Sequence, residues 1–108
     1  MRQPVLVILA VASLSASPAK ETFTGVITDD MCPLANHSRM QMGPTDAECT
    51  RACINAHGAV YVLYDGKSAY VLSDQKAPDK YAAQKVRVVG TLDDTTKTIR
   101  VASIAAVK

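Results

Sequence analysis

Every cysteine and histidine of this 108-residue chain lies in one stretch, from Asp30 to His57. The cysteines number three, and an odd number cannot all pair within one chain, so one thiol needs a separate explanation. A domain this small buries a modest core and often needs a disulfide or a metal ion to hold it together. This stretch therefore constrains both how the chain can fold and what it can do.

The first 19 residues have the layout of a secretory signal peptide. Arg2 precedes an apolar run from Pro4 to Leu14, and small residues then end at Ala19. The apolar run is too short to span a bilayer. We therefore expect a signal peptide over 1–19 and one domain over 20–108, located in the periplasm or secreted, with no membrane anchor after cleavage.

Charge and motifs exclude several classes of function. The formal net charge of +2 falls to +1 when Arg2 is removed, and no run of like charges occurs. A nucleic acid or an anionic membrane surface is therefore not an expected partner. The chain has no Gly-x-Ser-x-Gly, Cys-x-x-Cys or phosphate-binding glycine loop. We expect a non-catalytic binding or interaction module, whose partner is a metal ion or another exported protein.

Most of the remaining sequence has the pattern of β-strands. Five segments are predicted to be strands: Glu21–Ile27, Val60–Tyr64, Lys67–Leu72, Lys85–Leu92 and Ile99–Ile104. Asp65-Gly66 favours a type I′ turn between the second and third. Gly25 and Gly90 lie inside strands, where glycine indicates a bend or a close backbone approach. The sequence predicts a mainly β fold, a small five-stranded OB-like barrel, with a β-sandwich as the competing architecture.

One helix with clear end signals is predicted between the first two strands. Thr45 and Glu48 fit a capping box, and Gly58 is placed to end the helix. At helical spacing, one face carries the small residues Cys49, Ala52, Cys53 and Ala56. The opposite, solvent-facing side carries Thr50, Arg51 and Asn55. Pro78 is expected to open a second, short helix.

Several of these segments carry a family resemblance. The segment from Thr24 to Cys32, the Cys49–Cys53 pair before Tyr61, and the segment 85–104 resemble a group of small exported bacterial proteins with OB-like domains and uncharacterised function. The resemblance extends over nearly all of the domain. It implies the fold and export, and it carries no activity.

One use of the cysteines is a structural disulfide. Cys49 and Cys53 are four residues apart, which places helical Cβ atoms about 5–6 Å apart, whereas a disulfide needs about 3.5–4.5 Å. The expected bridge therefore joins Cys32 to Cys49 or to Cys53. Such a bridge would stabilise the domain by about 3 kcal/mol in the chain-entropy model.

The other use is a soft-metal site formed by Cys32, His37, Cys49 and Cys53. Thiolate and imidazole ligands suit copper or zinc, and the nearby thioethers of Met31, Met40 and Met42 favour copper. His57 could replace His37.

Two other readings stay open. In the first, Cys49 and Cys53 are small core residues and His37 is a surface residue. In the second, the chain is a periplasmic thiol-redox protein that exchanges a Cys32–Cys49 or Cys32–Cys53 disulfide. Such a protein needs a thiol with a lowered pKa.

Overall fold

The computed structural model describes residues 2–4 and 19–108, and the predicted signal peptide lies almost wholly outside them. The described part contains strands β1 (Glu21–Asp29), β2 (Tyr61–Tyr64), β3 (Ala69–Leu72), β4 (Lys85–Asp93) and β5 (Thr98–Ala106), helix α1 (Asp46–His57) and a 3₁₀ helix (Ala77–Tyr81). Among these residues, no helix is both long enough and apolar enough to cross a membrane.

The five strands form one sheet with a ring of hydrogen bonds. The long strand β1 pairs with β4 through residues 21–26 and with β2 through residues 26–29, both antiparallel. β2 pairs with β3, and β4 with β5, again antiparallel, while β3 and β5 run parallel. The order β1-β2-β3-β5-β4 returns to β1. The prediction of a mainly β, five-stranded fold with one helix between the first two strands is confirmed.

Two glycines allow backbones to approach closely in this ring. A Cβ atom at Gly25 would overlap the carbonyl oxygen of Tyr64, and one at Gly90 would overlap that of Arg100. The pairing of β4 with β5 also shifts register between Val89 and Gly90. Both positions therefore require glycine, as their place inside strands predicted.

The core lies inside the ring. Its buried members come from all five strands and the segment after the 3₁₀ helix: Ile27, Tyr61, Leu63, Leu72, Ala82, Val86, Val88 and Ile99. Buried Val86 and Val88 alternate with exposed Lys85 and Arg87, as side chains on opposite faces of a strand do. The rings of Phe23 and Tyr70, 5.8 Å apart, pack against this core.

Helix α1 begins and ends where its signals predict. The Thr45 hydroxyl accepts a hydrogen bond from the Glu48 backbone N–H (3.2 Å), and Gly58 is left-handed, with φ of 67°. Arg51 donates to the backbone carbonyl of Asp79 through Nε and Nη2, at 3.1 and 2.9 Å. The helix is thus attached to the 3₁₀ helix, which has Pro78 at its start as predicted.

The predicted type I′ turn at Asp65-Gly66 is wrong. β2 and β3 are joined by a four-residue loop, 65–68, in which Gly66 has positive φ and Asp65 does not. A type I′ turn needs positive φ at both central residues. Instead, the Asp65 carboxylate accepts hydrogen bonds from the backbone N–H groups of Lys67 and Ser68, at 2.8 and 2.7 Å. This side-chain acceptor holds the longer loop closed.

Candidate metal centre

The segment between β1 and α1 is irregular, and its first part is held by the end of β1. Asp29 Oδ1 accepts hydrogen bonds from the backbone N–H groups of Met31 and Cys32, both at 3.0 Å. The Thr28 hydroxyl donates to the carbonyl of Cys32 at 2.8 Å. Both polar groups of the Cys32 backbone are therefore satisfied, and its backbone position is fixed.

The last part of this segment is held by helix α1. The Cys49 thiol donates to the carbonyl of Met40 (2.9 Å) and accepts from the N–H of Met42 (3.3 Å). Gly43 packs against the first turn, since a Cβ there would lie 2.9 Å from the Cβ of Glu48. The segment therefore folds back over the N-terminal half of the helix.

This fold-back brings three potential metal ligands together. Asp29, Cys32 and His37 are all buried, and one ligand atom from each lies within 4.8 Å of the other two. The exposed fraction is 0% for Asp29 and 7% for each of the other two. A carboxylate, a thiol and an imidazole thus lie close together, largely shielded from bulk solvent.

Two atoms of this group lack hydrogen-bond partners. Asp29 Oδ2 and His37 Nδ1 are buried and unpaired, and no other side-chain nitrogen or oxygen in residues 2–4 and 19–108 is in that state. Leaving a polar atom buried and unpaired costs about 1–3 kcal/mol, and more for a charged group. A cation bound between them would satisfy both atoms, because each offers a lone pair.

Thr50 orients the imidazole of His37. The prediction that Thr50 faces solvent is wrong. The sequence pattern put Thr50 on the solvent side of α1, but its exposed fraction is 0%. Its hydroxyl lies 3.4 Å from His37 Nε2. With the proton on Nε2 and donated to this hydroxyl, Nδ1 keeps a free lone pair; this tautomer is assigned from the contacts. Histidines that bind metals usually donate their other N–H in this way.

Burial raises the pKa of two of the thiols. The pKa of Cys32 is raised mainly by desolvation, with further contributions from electrostatic interaction with Asp29 and Cys49. Desolvation, followed by Asp29, raises the pKa of Cys53 to about 11. Both are therefore neutral thiols at pH 7 when no cation is bound. The thiol-redox alternative needs the opposite shift.

The structure brings together part of the predicted ligand set. Cys32 and His37 lie close together and form a group with Asp29. Cys49 and Cys53 are not members of this group. Cys53 is fully buried on α1, and electrostatic interaction with Asp29 and Cys32 contributes to its raised pKa, so its thiol lies near the group. His57 is exposed at the end of the helix.

The predicted disulfide between Cys32 and Cys49 or Cys53 is not formed. All three cysteines are free and buried. The Cys49 sulfur is instead engaged with the backbone of Met40 and Met42. Cys32 lies with Asp29 and His37. Hydrogen bonds, rather than a covalent bridge, therefore attach the segment to the helix.

Two clefts open next to the group. One, of about 460 Å³, is lined by His37 and Cys49 together with the start of α1. The other, of about 310 Å³, is lined by Met31, Cys32 and Met40 among others. Two of the three grouped residues, Cys32 and His37, therefore border space that opens towards solvent.

The chain has no match among family models, curated proteins or solved structures. The residues of this centre therefore have to be interpreted from their own geometry and chemistry.

Proposed function

We propose that this chain is an exported, non-catalytic module that captures a transition-metal ion at Asp29, Cys32 and His37. The observation that carries the proposal is the pair of unpaired atoms, Asp29 Oδ2 and His37 Nδ1, buried in the same group as a thiol. Asp29 Oδ1 has a structural role, because it accepts hydrogen bonds from two backbone N–H groups of the turn. Asp29 Oδ2 has no such role. A coordinated cation gives a role to every atom of the group.

Zinc fits this donor set best. Carboxylate oxygen, thiolate sulfur and imidazole nitrogen are the three ligand types that zinc binds in proteins. Cuprous ion prefers soft sulfur ligands, so the carboxylate of Asp29 favours zinc over the copper that the methionines suggested. A bound cation would also displace the proton of Cys32, because metal binding requires the thiolate.

Three protein ligands suit capture and release better than a permanent structural site. Structural zinc sites have four protein ligands, whereas sites with three keep a position open for water or an incoming ligand. The clefts beside Cys32 and His37 give solvent access to such a position. After a small shift of α1, either Cys53 or Cys49 is a candidate for the fourth ligand.

Export and an OB-like barrel are parts of the same proposal. Export is supported by the signal-peptide layout of residues 1–19. The barrel is supported by the strand order β1-β2-β3-β5-β4, in which β1 pairs with both β2 and β4. Five strands linked in this way suit the five-stranded OB topology. A non-catalytic role is supported by the raised pKa of Cys32, which disfavours a nucleophilic thiolate.

The test is a zinc titration of the domain 20–108 by isothermal calorimetry, with native mass spectrometry to count bound ions. We expect one zinc ion per chain. Replacing Cys32→Ser, His37→Gln or Asp29→Asn should each weaken binding by at least about tenfold, the lower end of the range for disturbing a metal site.

The chain supplies matched controls. His57→Gln changes the only other histidine, which is exposed, and Asp30→Asn changes the neighbouring acid, whose Oδ1 accepts from the N–H of Val60 at the surface. Both variants should bind zinc like the wild type. Absence of stoichiometric zinc in the wild type, or equal losses in the control variants, would refute the proposed function.

A further inference from the structure

We propose a second binding position, for a soft monovalent ion such as Cu⁺, at the cleft lined by Met31, Cys32 and Met40. This inference rests on the proposed function, because the two positions share Cys32. Binding of the monovalent ion at the sulfur atoms would take Cys32 from the zinc position and release the zinc ion.

The exposure of the methionines is the first observation. In the described part of the chain, four large hydrophobic residues are exposed, and all four lie in the segment before α1: Met31, Leu34, Met40 and Met42. The exposed fraction is 38% for Met31 and 36% for Met40. Elsewhere in that part, large apolar side chains are buried or half-buried. A concentration of exposed thioethers on one short segment is not explained by packing.

The shape of the surface is the second observation. Met31 and Met40, nine residues apart in sequence, line the same cleft of about 310 Å³, and buried Cys32 lines it too. The hydrogen bond from the Cys49 thiol to the carbonyl of Met40 holds the backbone of Met40 in place. Two methionines and one cysteine therefore border one space, and that cysteine is also a member of the buried group.

Ligand chemistry selects the ion. Thioether sulfur is uncharged and soft, so it suits Cu⁺ and contributes little to binding of zinc. Arg39 also lines the cleft, and its fixed positive charge repels a divalent ion twice as strongly as a monovalent one at the same distance. Both effects favour a soft monovalent ion over zinc in this cleft.

The exchange involves no electron transfer. In the zinc-bound protein, Cys32 is already a thiolate, and the incoming ion takes that sulfur together with the thioethers of Met31 and Met40. Zinc then retains only Asp29 and His37 as ligands and dissociates as Zn²⁺. In the metal-free protein, the same binding step releases the thiol proton of Cys32 to water.

The experiment uses Ag⁺, which is redox-inert, in place of Cu⁺. The domain 20–108 loaded with zinc is titrated with Ag⁺, and released zinc is measured with a chromogenic zinc indicator while native mass spectrometry counts bound silver. We expect one Ag⁺ to bind per chain and one zinc ion to be released. The double variant Met31→Leu/Met40→Leu should need roughly tenfold more free Ag⁺ for half-release, as expected for losing partners at a metal site.

The control is Met42→Leu, which removes a thioether of similar exposure that is outside the residues lining the cleft. It should behave like the wild type, and zinc affinity should be unchanged in all these variants. Release that does not depend on Met31 and Met40, or that falls equally in Met42→Leu, would overturn the inference while leaving zinc capture intact. If the wild type binds no zinc, direct Ag⁺ binding tests the sulfur position separately: methionine-dependent binding supports it, and methionine-independent binding overturns it.

Discussion

Thr50 Oγ1 lies 3.4 Å from His37 Nε2, and both side chains are buried between helix α1 and the segment that covers it. This contact links the imidazole of the candidate metal centre to the helix. Replacing Thr50→Val keeps the shape of the side chain and removes the hydroxyl. We expect zinc affinity to fall by roughly tenfold, because ligand orientation by a neighbouring polar group is typically worth 10–100-fold. Calorimetric titration measures this.

The conservative replacement Thr50→Ser separates orientation from packing. Serine retains the hydroxyl and loses only a methyl group, so it should keep near wild-type zinc affinity while slightly lowering stability. If Thr50→Val and Thr50→Ser bind zinc equally well, the hydroxyl has no part in positioning His37.

The second prediction concerns stability with and without metal. At a free zinc concentration of 100 times Kd, zinc should raise the free energy of unfolding of the wild type by about 2.7 kcal/mol. In Asp29→Asn, whose Kd should be at least about tenfold higher, this gain should fall to about 1.4 kcal/mol or less. Without metal, the same variant should be at least as stable as the wild type. The amide oxygen can still accept from Met31 and Cys32, and the cost of burying an unpaired carboxylate disappears.

Urea denaturation of both proteins, in a chelator and in buffered zinc, measures these differences, with His57→Gln as the matched control. A large loss of stability for Asp29→Asn in the chelator would mean that the carboxylate serves the fold rather than a cation.

The third prediction concerns Gln75, whose side chain acts as a strand partner for the start of β2. Its Oε1 accepts from the N–H of Tyr61 at 2.7 Å, and its Nε2 donates to the carbonyls of Tyr61 (3.0 Å) and Leu72 (2.8 Å). Gln75→Ala leaves these part-buried backbone groups unpaired. The free energy of unfolding should therefore fall by about 1–3 kcal/mol. Gln84→Ala, at an exposed glutamine, should change little. Equal midpoints in urea for both variants would contradict this role.

The sequence predicted the elements whose signals are local. These signals are the capping residues of α1, the alternation of apolar and polar residues in β4, and Pro78 at the start of the 3₁₀ helix. Each acts within a few residues, and the structure confirms all three elements. The parallel pairing of β3 with β5 closes the ring, and no local pattern predicts which distant strands will pair. The type I′ turn was wrong because the Asp65 side chain stabilises a longer loop than the dipeptide alone suggests.

The site was predicted in part because its ligands come from different elements. Cys32 and His37 were found by residue type, whereas Asp29 was missed. A signal for it existed: Asp29 follows buried Ile27 by two residues, so both side chains point to the same side of β1. Thr50 was misplaced because a helical pattern cannot show that the segment before α1 folds back over the side of the helix predicted to face solvent.

The last prediction concerns pH and the loop between β2 and β3. Hydrogen bonds from the backbone N–H groups of Ser68 and Lys67 hold the pKa of Asp65 below its ordinary value of 3.8. Since the folded state lowers this pKa, the ionised carboxylate favours folding. Its contribution is complete above the unfolded value and is lost as the pH falls through the folded-state pKa.

In Asp65→Ala the free energy of unfolding at pH 7 should therefore be lower by less than about 1 kcal/mol, because the carboxylate is exposed to solvent. The difference from the wild type should shrink as the pH is lowered below 3.8. Asp65→Asn, which keeps an acceptor oxygen without a charge, should show a smaller difference at pH 7 and little pH dependence relative to Asp65→Ala. Urea denaturation of the metal-free domain across this pH range measures the effect. A constant difference between wild type and Asp65→Ala would mean that the charge of Asp65 contributes nothing to the loop.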